Sequence, residues 1–138
     1  MIQQGQCNIF KKNVYDGAEN FSATSPYTYK IALYTANANL GPETTTYTSD
    51  GEITGTGYTP TGKDLTIIPV TSSGTTAYFS FDNVTWTSAL TARGALIYKP
   101  GANGAICVLD FGNDKTSTST FTVQFPAATN TSAIIRIS

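Results

Sequence analysis

The stretch Ala92–Asn113, ARGALIYKPGANGAICVLDFGN, constrains the fold more than any other part of this chain. Two apolar runs flank Lys99-Pro100-Gly101-Ala102-Asn103-Gly104. Proline lacks a ladder donor and glycine favours turn dihedrals, so this segment stops both runs and joins them as an antiparallel hairpin. With Tyr98 opposite Ala105, the register follows by counting. Leu96 then faces Cys107, Gly94 faces Leu109 and Ala92 faces Phe111, small against large. On the other face Ile97 meets Ile106, Ala95 meets Val108, and Arg93 falls opposite Asp110, a favourable cross-strand charge pair. A one-residue slip is expected to be excluded, because it sends Leu96 and Cys107 to opposite faces. Both faces are mostly apolar, as in central strands covered on two sides. Nothing in the hairpin is chemically reactive. It organises the fold without disclosing a function.

The rest of the chain is read around it. Residues 3–20 carry the only helical period: Cys7, Phe10, Val14, Ala18 and Phe21 recur at spacings of three and four, with Lys11, Lys12, Asp16 and Glu19 largely on the other side. Ser22-Ala23-Thr24-Ser25-Pro26 is expected to end that helix. From Tyr27 the period changes to two, and Tyr27, Tyr29, Ile31 and Leu33 alternate with Thr28, Lys30 and Ala32 as a half-buried strand. Thr35 to Lys63 is a polar excursion, mostly irregular, with weak extended pieces near 45–47 and 52–54 and with Tyr47 and Tyr58 as anchors. Further strands are expected at Leu65–Val70, Thr76–Phe81, Val84–Trp86, Thr116–Phe125 and Ala133–Ile137, the last with Ile135 and Ile137 inward. Turns fall at Ser72-Ser73-Gly74, Asp82-Asn83 and Gly112–Lys115. The pattern predicts one domain over 1–138, with a helix at 3–20 and a β-rich body at 27–138. Its class is all-β, an antiparallel β-sandwich of immunoglobulin-like or jelly-roll-like kind with one N-terminal α-helix; a closed barrel is the alternative.

Composition narrows the chemistry. Hydrophobic residues make up 40% of the chain and aromatics 12%, enough for an ordered core. Charged residues reach only 12%, about half the usual share of roughly 25%. A net charge of −1, with Lys11-Lys12 the only adjacent basic pair, speaks against nucleic acid as a partner. No run approaches the roughly 18 apolar residues of a membrane span, and MIQQGQCNIF lacks the pattern of a secretion leader. Synthesis in a cytoplasm and no membrane partner are therefore expected. Cys7 and Cys107 do not form a disulfide framework, and Cys107 reads as a small core hydrophobe. There is no histidine, which excludes Ser–His and Cys–His nucleophile systems and Cys/His zinc sites.

Three strings resemble motifs and are set aside. Asp110-Phe111-Gly112 lacks every companion of the kinase signature and reads as a strand end. Asp110, Asn113 and Asp114 are wrongly spaced for a helix–loop–helix calcium site. Gly55-Thr56-Gly57-Tyr58-Thr59-Pro60 lacks the Lys-Ser/Thr ending of a phosphate loop and reads as a turn. Trp86 and the eight tyrosines are assigned to core or protein interface ahead of sugar stacking. No catalytic, cofactor-binding or metal-binding residue is assigned, no cofactor is expected, and the chain is not expected to be an enzyme.

The phrases YKIALYTANANLGPETTTYTSDGEITGTGYTPTGKDLTI, TWTSALTARGALIYKP, AICVLDFGNDKTS and FTVQFPAATNTSAIIRI resemble a family of small virion structural proteins of tailed bacteriophages. The resemblance runs from about Gln6 to the C-terminus and involves no catalytic motif. It implies an accessory head or tail protein, assembled in the host bacterial cytoplasm and located in the virion. Capsid decoration, as a cement protein on the outside of the head, is the first reading. A tail, baseplate or fibre-attachment component and a carbohydrate- or receptor-binding module are the alternatives. The partners implied are the major capsid protein or other virion proteins, and further copies of the chain itself. A charge-poor surface suits a homo-oligomer, and analogy with the threefold positions of icosahedral shells suggests a trimer. The apolar face of the front helix is expected to stay free as the anchor, with Thr35–Lys63 as a second contact.

Overall fold

The computed structural model describes residues 1–137. Its elements in chain order are β1 (Gly5–Gln6), α1 (Asn8–Tyr15), β2 (Tyr29–Tyr34), β3 (Lys63–Leu65), β4 (Ile67–Ser73), β5 (Thr76–Phe81), β6 (Val84–Trp86), β7 (Thr91–Tyr98), β8 (Ala105–Thr116), β9 (Phe121–Val123) and β10 (Ile135–Ile137). They form an antiparallel five-stranded sheet of order β1-β8-β7-β2-β3, a three-stranded sheet β10-β5-β4 and a two-stranded sheet β6-β9. The fold is all-β with one short helix among the described residues.

The hairpin β7–β8 sits inside the large sheet, with β2 on its other flank. Tyr98 pairs with Ala105 as expected, but the rest of the register does not follow. Ile97 pairs with Cys107, Leu96 with Val108, Ala95 with Leu109 and Gly94 with Asp110, and a second shift leads to Ala92 opposite Lys115. The extra residue near the tip is Ile106, whose carbonyl accepts a hydrogen bond from the Cys7 amide at 2.8 Å. The second irregularity contains Gly112 at φ +87°, a left-handed conformation that glycine adopts at no steric cost. Gly112–Lys115 is therefore a bulge within β8 and not the expected turn. Arg93 and Asp110 are not directly opposed, yet the guanidinium Nε still reaches Asp110 Oδ1 at 2.9 Å.

The slip is tolerated because both faces of the sheet are covered. Ala95, Leu96, Ile97, Ile106 and Val108 are all fully buried, so either face accepts an apolar side chain. Side chains alternate along β2, placing Tyr29, Ile31 and Leu33 on one face and Lys30, Ala32 and Tyr34 on the other. The first face meets the smaller sheets, with the Tyr29 ring 6.4 Å from Phe81 of β5. The second is roofed by the excursion, where Tyr47 stacks on Tyr98 at 5.0 Å and the Tyr34 hydroxyl donates to the Thr48 carbonyl. Strand β2 is therefore buried on both sides and not half-buried.

The helix is shorter than the periodicity over 3–20 suggests, and glycine is the reason at each end. Gly5, with extended backbone at φ +157°, puts residues 5–6 into the large sheet against Val108 and Cys107. At the other end Gly17 is left-handed at φ +73°. Its amide bonds the Val14 carbonyl, and the Ala18 amide bonds the Asn13 carbonyl at 2.9 Å. That paired closure stops α1 after Tyr15. The β-rich body accordingly begins at Gly5 and not at residue 27.

Other boundaries move for local reasons. The expected strand Leu65–Val70 divides at Thr66, where the chain leaves β2 in the large sheet and joins β5 in the small one. Thr76–Phe81 has the expected limits, and Trp86 and Phe121 meet edge to face at 6.3 Å in the core. Of the expected strand 116–125, Thr116 ends β8 and only Phe121–Val123 forms a strand of its own, β9, with Phe121 and Val123 buried. In β10 Ile135 is buried but Ile137 is 58% exposed, against the expectation that both point inward.

Candidate interaction site

The helical period puts Glu19 largely on the polar side of the helix, and the structure places its side chain in the interior. Because α1 ends at Gly17, residues 18–22 cross over the small sheet, and the Glu19 side chain is only 2% exposed. Its Oε1 accepts from the Tyr29 hydroxyl at 3.2 Å and pairs with the Lys99 ammonium at 3.1 Å. Lys99 also donates to the Ala18 carbonyl at 2.6 Å and lies 4.2 Å from the centre of the Tyr27 ring. One ion pair thus ties the crossing segment to the loop of the central hairpin. Glu19 Oε2 is buried and has no hydrogen-bond partner. A buried acceptor without a partner costs about 1–3 kcal/mol.

That carboxylate stands in the wall of a pocket of about 300 Å³. Phe10 and Val14 of α1, Phe21, Phe79 of β5 and Ile135 of β10 supply the apolar wall. Phe21 is central to it, stacked on Phe79 at 3.8 Å and on Tyr29 at 4.6 Å. The rim leaves Val70 47% and Ile137 58% exposed. The free helix face expected from the sequence is not present: Phe10 is 2% exposed and Cys7 fully buried. What stays open is the pocket beside the helix.

A second carboxylate, Glu52, holds the excursion in place. Its Oε1 accepts from the Tyr47 hydroxyl at 2.5 Å, and its Oε2 accepts from the Tyr58 hydroxyl at 2.5 Å and the Thr61 amide at 3.0 Å. The Tyr58 oxygen in turn accepts from the Leu33 amide at 3.0 Å. Tyr47 and Tyr58 are the anchors that the sequence suggests, and Glu52 is the group they hold. A depression of about 440 Å³ opens beside Tyr47 and Tyr98, over Lys30, Thr46 and Thr61. Tyr98 is buried beneath Tyr47, and the half-buried Tyr47 ring lines the depression. A larger groove of about 570 Å³ runs between β8 and β9, past Leu109, Phe111, Phe121 and Phe125. The β8 edge bordering it is capped by side chains, since the Asp110 amide donates to Gln4 Oε1 and the Gly112 amide to Asp110 Oδ1.

The thiols and the buried phenols are protonated at neutral pH. Burial pushes the Cys7 thiol up to about 11 and raises Cys107 further, so neither is a thiolate nucleophile. Burial also raises the phenols of Tyr29, Tyr34, Tyr47, Tyr58 and Tyr98, with Glu52 adding to the rise at Tyr47 and Tyr58. Hydrogen bonding to Arg93 holds the Asp110 carboxyl below the usual range. Asp110 is engaged with Arg93. Among the described residues no cluster of three or more His, Cys, Asp or Glu side chains could hold a metal ion. Gly55–Pro60 forms a turn, with the Tyr58 amide bonded to the Gly55 carbonyl at 3.2 Å. Trp86 is core, stacked near Tyr58 at 6.1 Å.

Compared with protein-family models, curated proteins and solved structures, the chain matches none.

Proposed function

We propose that this protein is a structural component of a tailed-bacteriophage particle, a decoration or cement protein carried on the outside of the head in symmetric copies. The resemblance of four long in-order phrases to small virion proteins carries the reading. Three features of the molecule support it. Both cysteine thiols are buried, leaving surface as what the protein offers. The large sheet is covered on both faces and its long edge is capped, which suits a rigid and non-aggregating building block. The pocket beside α1 exposes apolar rim residues, as docking surfaces do. The partners in this reading are the capsid shell and further copies of the chain. Neither nucleic acid nor membrane is part of it.

Labelling with a specific antibody on gradient-purified particles tests the proposal. Label spread over the head is the expected result. Label confined to the tail moves the assignment to a tail or baseplate component, and particles free of the protein overturn the reading.

A further inference from the structure

The depression beside Tyr47 is built on a braced aromatic ring. One face of the ring rests on Tyr98 at 5.0 Å, and its hydroxyl is tied to Glu52 Oε1. Tyr98 is buried and Tyr47 half-buried, so the face turned away from Tyr98 is the one left for the depression. Thr61, also in the wall, has φ +80°, a left-handed conformation rare for a β-branched residue. The Glu52 bond to its amide and the Tyr98 bond to its carbonyl hold it there. Such a wall is set before any ligand arrives, which lowers the ordering cost of binding. Two polar side chains stand open around the ring. Lys30 of β2 uses one of three ammonium donors on Asp64 Oδ1 at 2.9 Å, and its side chain stays 21% exposed. Thr46 is exposed, and its hydroxyl donates to the Gly101 carbonyl at 3.1 Å, which leaves its acceptor lone pairs free. Among the described residues Lys30 is the one charged group lining the depression, and Asp64 balances it.

We propose that this depression binds one ring of a neutral saccharide. The C–H face of the sugar lies on Tyr47, and its hydroxyls accept from Lys30 Nζ and donate to Thr46 Oγ1. The chemistry of the wall selects this class. An apolar ligand leaves the ammonium and the hydroxyl without partners. An anion finds Lys30 already paired and gains no net attraction. A sugar ring offers both an apolar face and hydroxyls that donate and accept. The volume of about 440 Å³ falls within the range of about 300–1,000 Å³ usual for small-ligand clefts. A single ring held on one aromatic face is expected to bind with a dissociation constant of about 1–10 mM.

This inference goes beyond the proposed function and does not depend on it, because the site is complete within one chain. NMR titration of the isotope-labelled full chain with the methyl glycosides of glucose, galactose, mannose and N-acetylglucosamine, each to about 50 mM, tests it. The expected wild-type result is that at least one glycoside shifts the amides of Lys30, Thr46, Tyr47 and Gly101 along one saturating curve. Tyr47→Leu keeps apolar bulk without a flat face and raises the dissociation constant by about tenfold. Lys30→Met and Thr46→Ala each raise it by about three- to tenfold. Lys30 and Thr46 reach the surface, so their variants keep the wild-type circular dichroism and carry the test if Tyr47→Leu disturbs folding. A chain whose amides no glycoside shifts at about 50 mM overturns the proposal. Binding that is unchanged in all the variants overturns the site. N-acetyltyrosinamide binding more tightly than every glycoside overturns the sugar and leaves the depression to an aromatic side chain of a peptide.

Discussion

Replacing Glu52 tests whether one carboxylate holds the long excursion to the sheet. In Glu52→Ala three donors lose their acceptor: the Tyr47 and Tyr58 hydroxyls and the Thr61 amide. The losses are unequal. Tyr58 is buried, so its hydroxyl loses a bond to a charged group and finds no water in exchange, which costs about 2 kcal/mol. Tyr47 is half-buried and the Thr61 contact is exposed, so water replaces much of both, and together they add about 1 kcal/mol. A total near 3 kcal/mol is a large share of a typical folding free energy of about 5–15 kcal/mol. Unfolding entropy is about 2.1 cal/mol/K per residue, so over 138 residues each kcal/mol moves the melting temperature by about 3.5 °C.

Glu52→Ala is therefore expected to melt about 10 °C below the wild type in a calorimetric scan. Glu52→Gln keeps one acceptor and the side-chain shape, and is expected to lose about half as much. Tyr58→Phe in a double-mutant cycle with Glu52→Ala isolates the buried contact, with a coupling of at least about 1 kcal/mol expected. The reasoning fails if Glu52→Ala melts within about 2 °C of the wild type. It also fails if the cycle gives no coupling, because the excursion must then be held by its other contacts, among them the Tyr34–Thr48 and Tyr98–Thr61 hydrogen bonds and the packing of Tyr47 on Tyr98.

Alkali is expected to unfold the protein in one steep step. Burial raises the phenols of Tyr29, Tyr34, Tyr58 and Tyr98, Tyr98 to about 12, while in the unfolded chain they ionise near pH 10. The native state thus keeps protons that the unfolded state loses. Stability is complete below pH 10 and falls as pH rises from there through about 12, by about 5 kcal/mol per pH unit for the four together. Tyrosinate absorbance and loss of circular dichroism should coincide; a shallow tyrosine titration with the fold intact contradicts this. Cys7 and Cys107 are expected to resist an aromatic disulfide reagent at neutral pH and to react together in denaturant, and a thiol that reacts in the native state refutes their placement. Deleting residues 1–20 removes β1, Phe10 and the Glu19–Lys99 pair, so the truncated chain is expected not to fold; a cooperative melt near the wild-type temperature refutes that.

Legibility of the fold followed how firmly local chemistry fixed each element. Thr76–Phe81 was readable to the residue because its alternation is clean. The turn before it is Gly74-Thr75 and not Ser72-Ser73-Gly74: Ser72 and Ser73 belong to β4, and Ser73 pairs with Thr76. The helix was overextended because the apolar period from Cys7 to Phe21 is real, with Cys7, Phe10 and Phe21 all buried together. That period does not require one continuous helix to satisfy it. Gly5 and Gly17 carried the true limits, and weighing Gly17 as a left-handed stop would also have freed Glu19 from the solvent face. Glu19 and Lys99 were invisible as a pair because their meeting depends on the crossing of residues 18–22 over a sheet formed more than fifty positions later. Only backbone topology brings them together.

The central hairpin shows where hydrophobic pattern stops being informative. Register is fixed by pattern when one face is wet, because a slip of one residue then moves every apolar side chain into water. Over Gly94–Tyr98 of β7 and Ala105–Val108 of β8 neither face is wet. The smaller sheets cover one and the excursion covers the other, so exchanging faces costs little transfer energy. The choice falls to groups outside the hairpin. Ile106 gives its carbonyl to the Cys7 amide as the chain leaves β1 for α1, and a bulge at that residue supplies an acceptor there. Gly112 then allows a second bulge, and Arg93 and Asp110 recover their ion pair across it. The charge pair survived the loss of the register from which it was inferred, because a flexible guanidinium needs proximity and not direct opposition. An opposite-charge match across a proposed ladder is thus evidence that two strands are neighbours. It is weak evidence for which residues face each other, and the more completely a sheet is buried, the weaker it becomes.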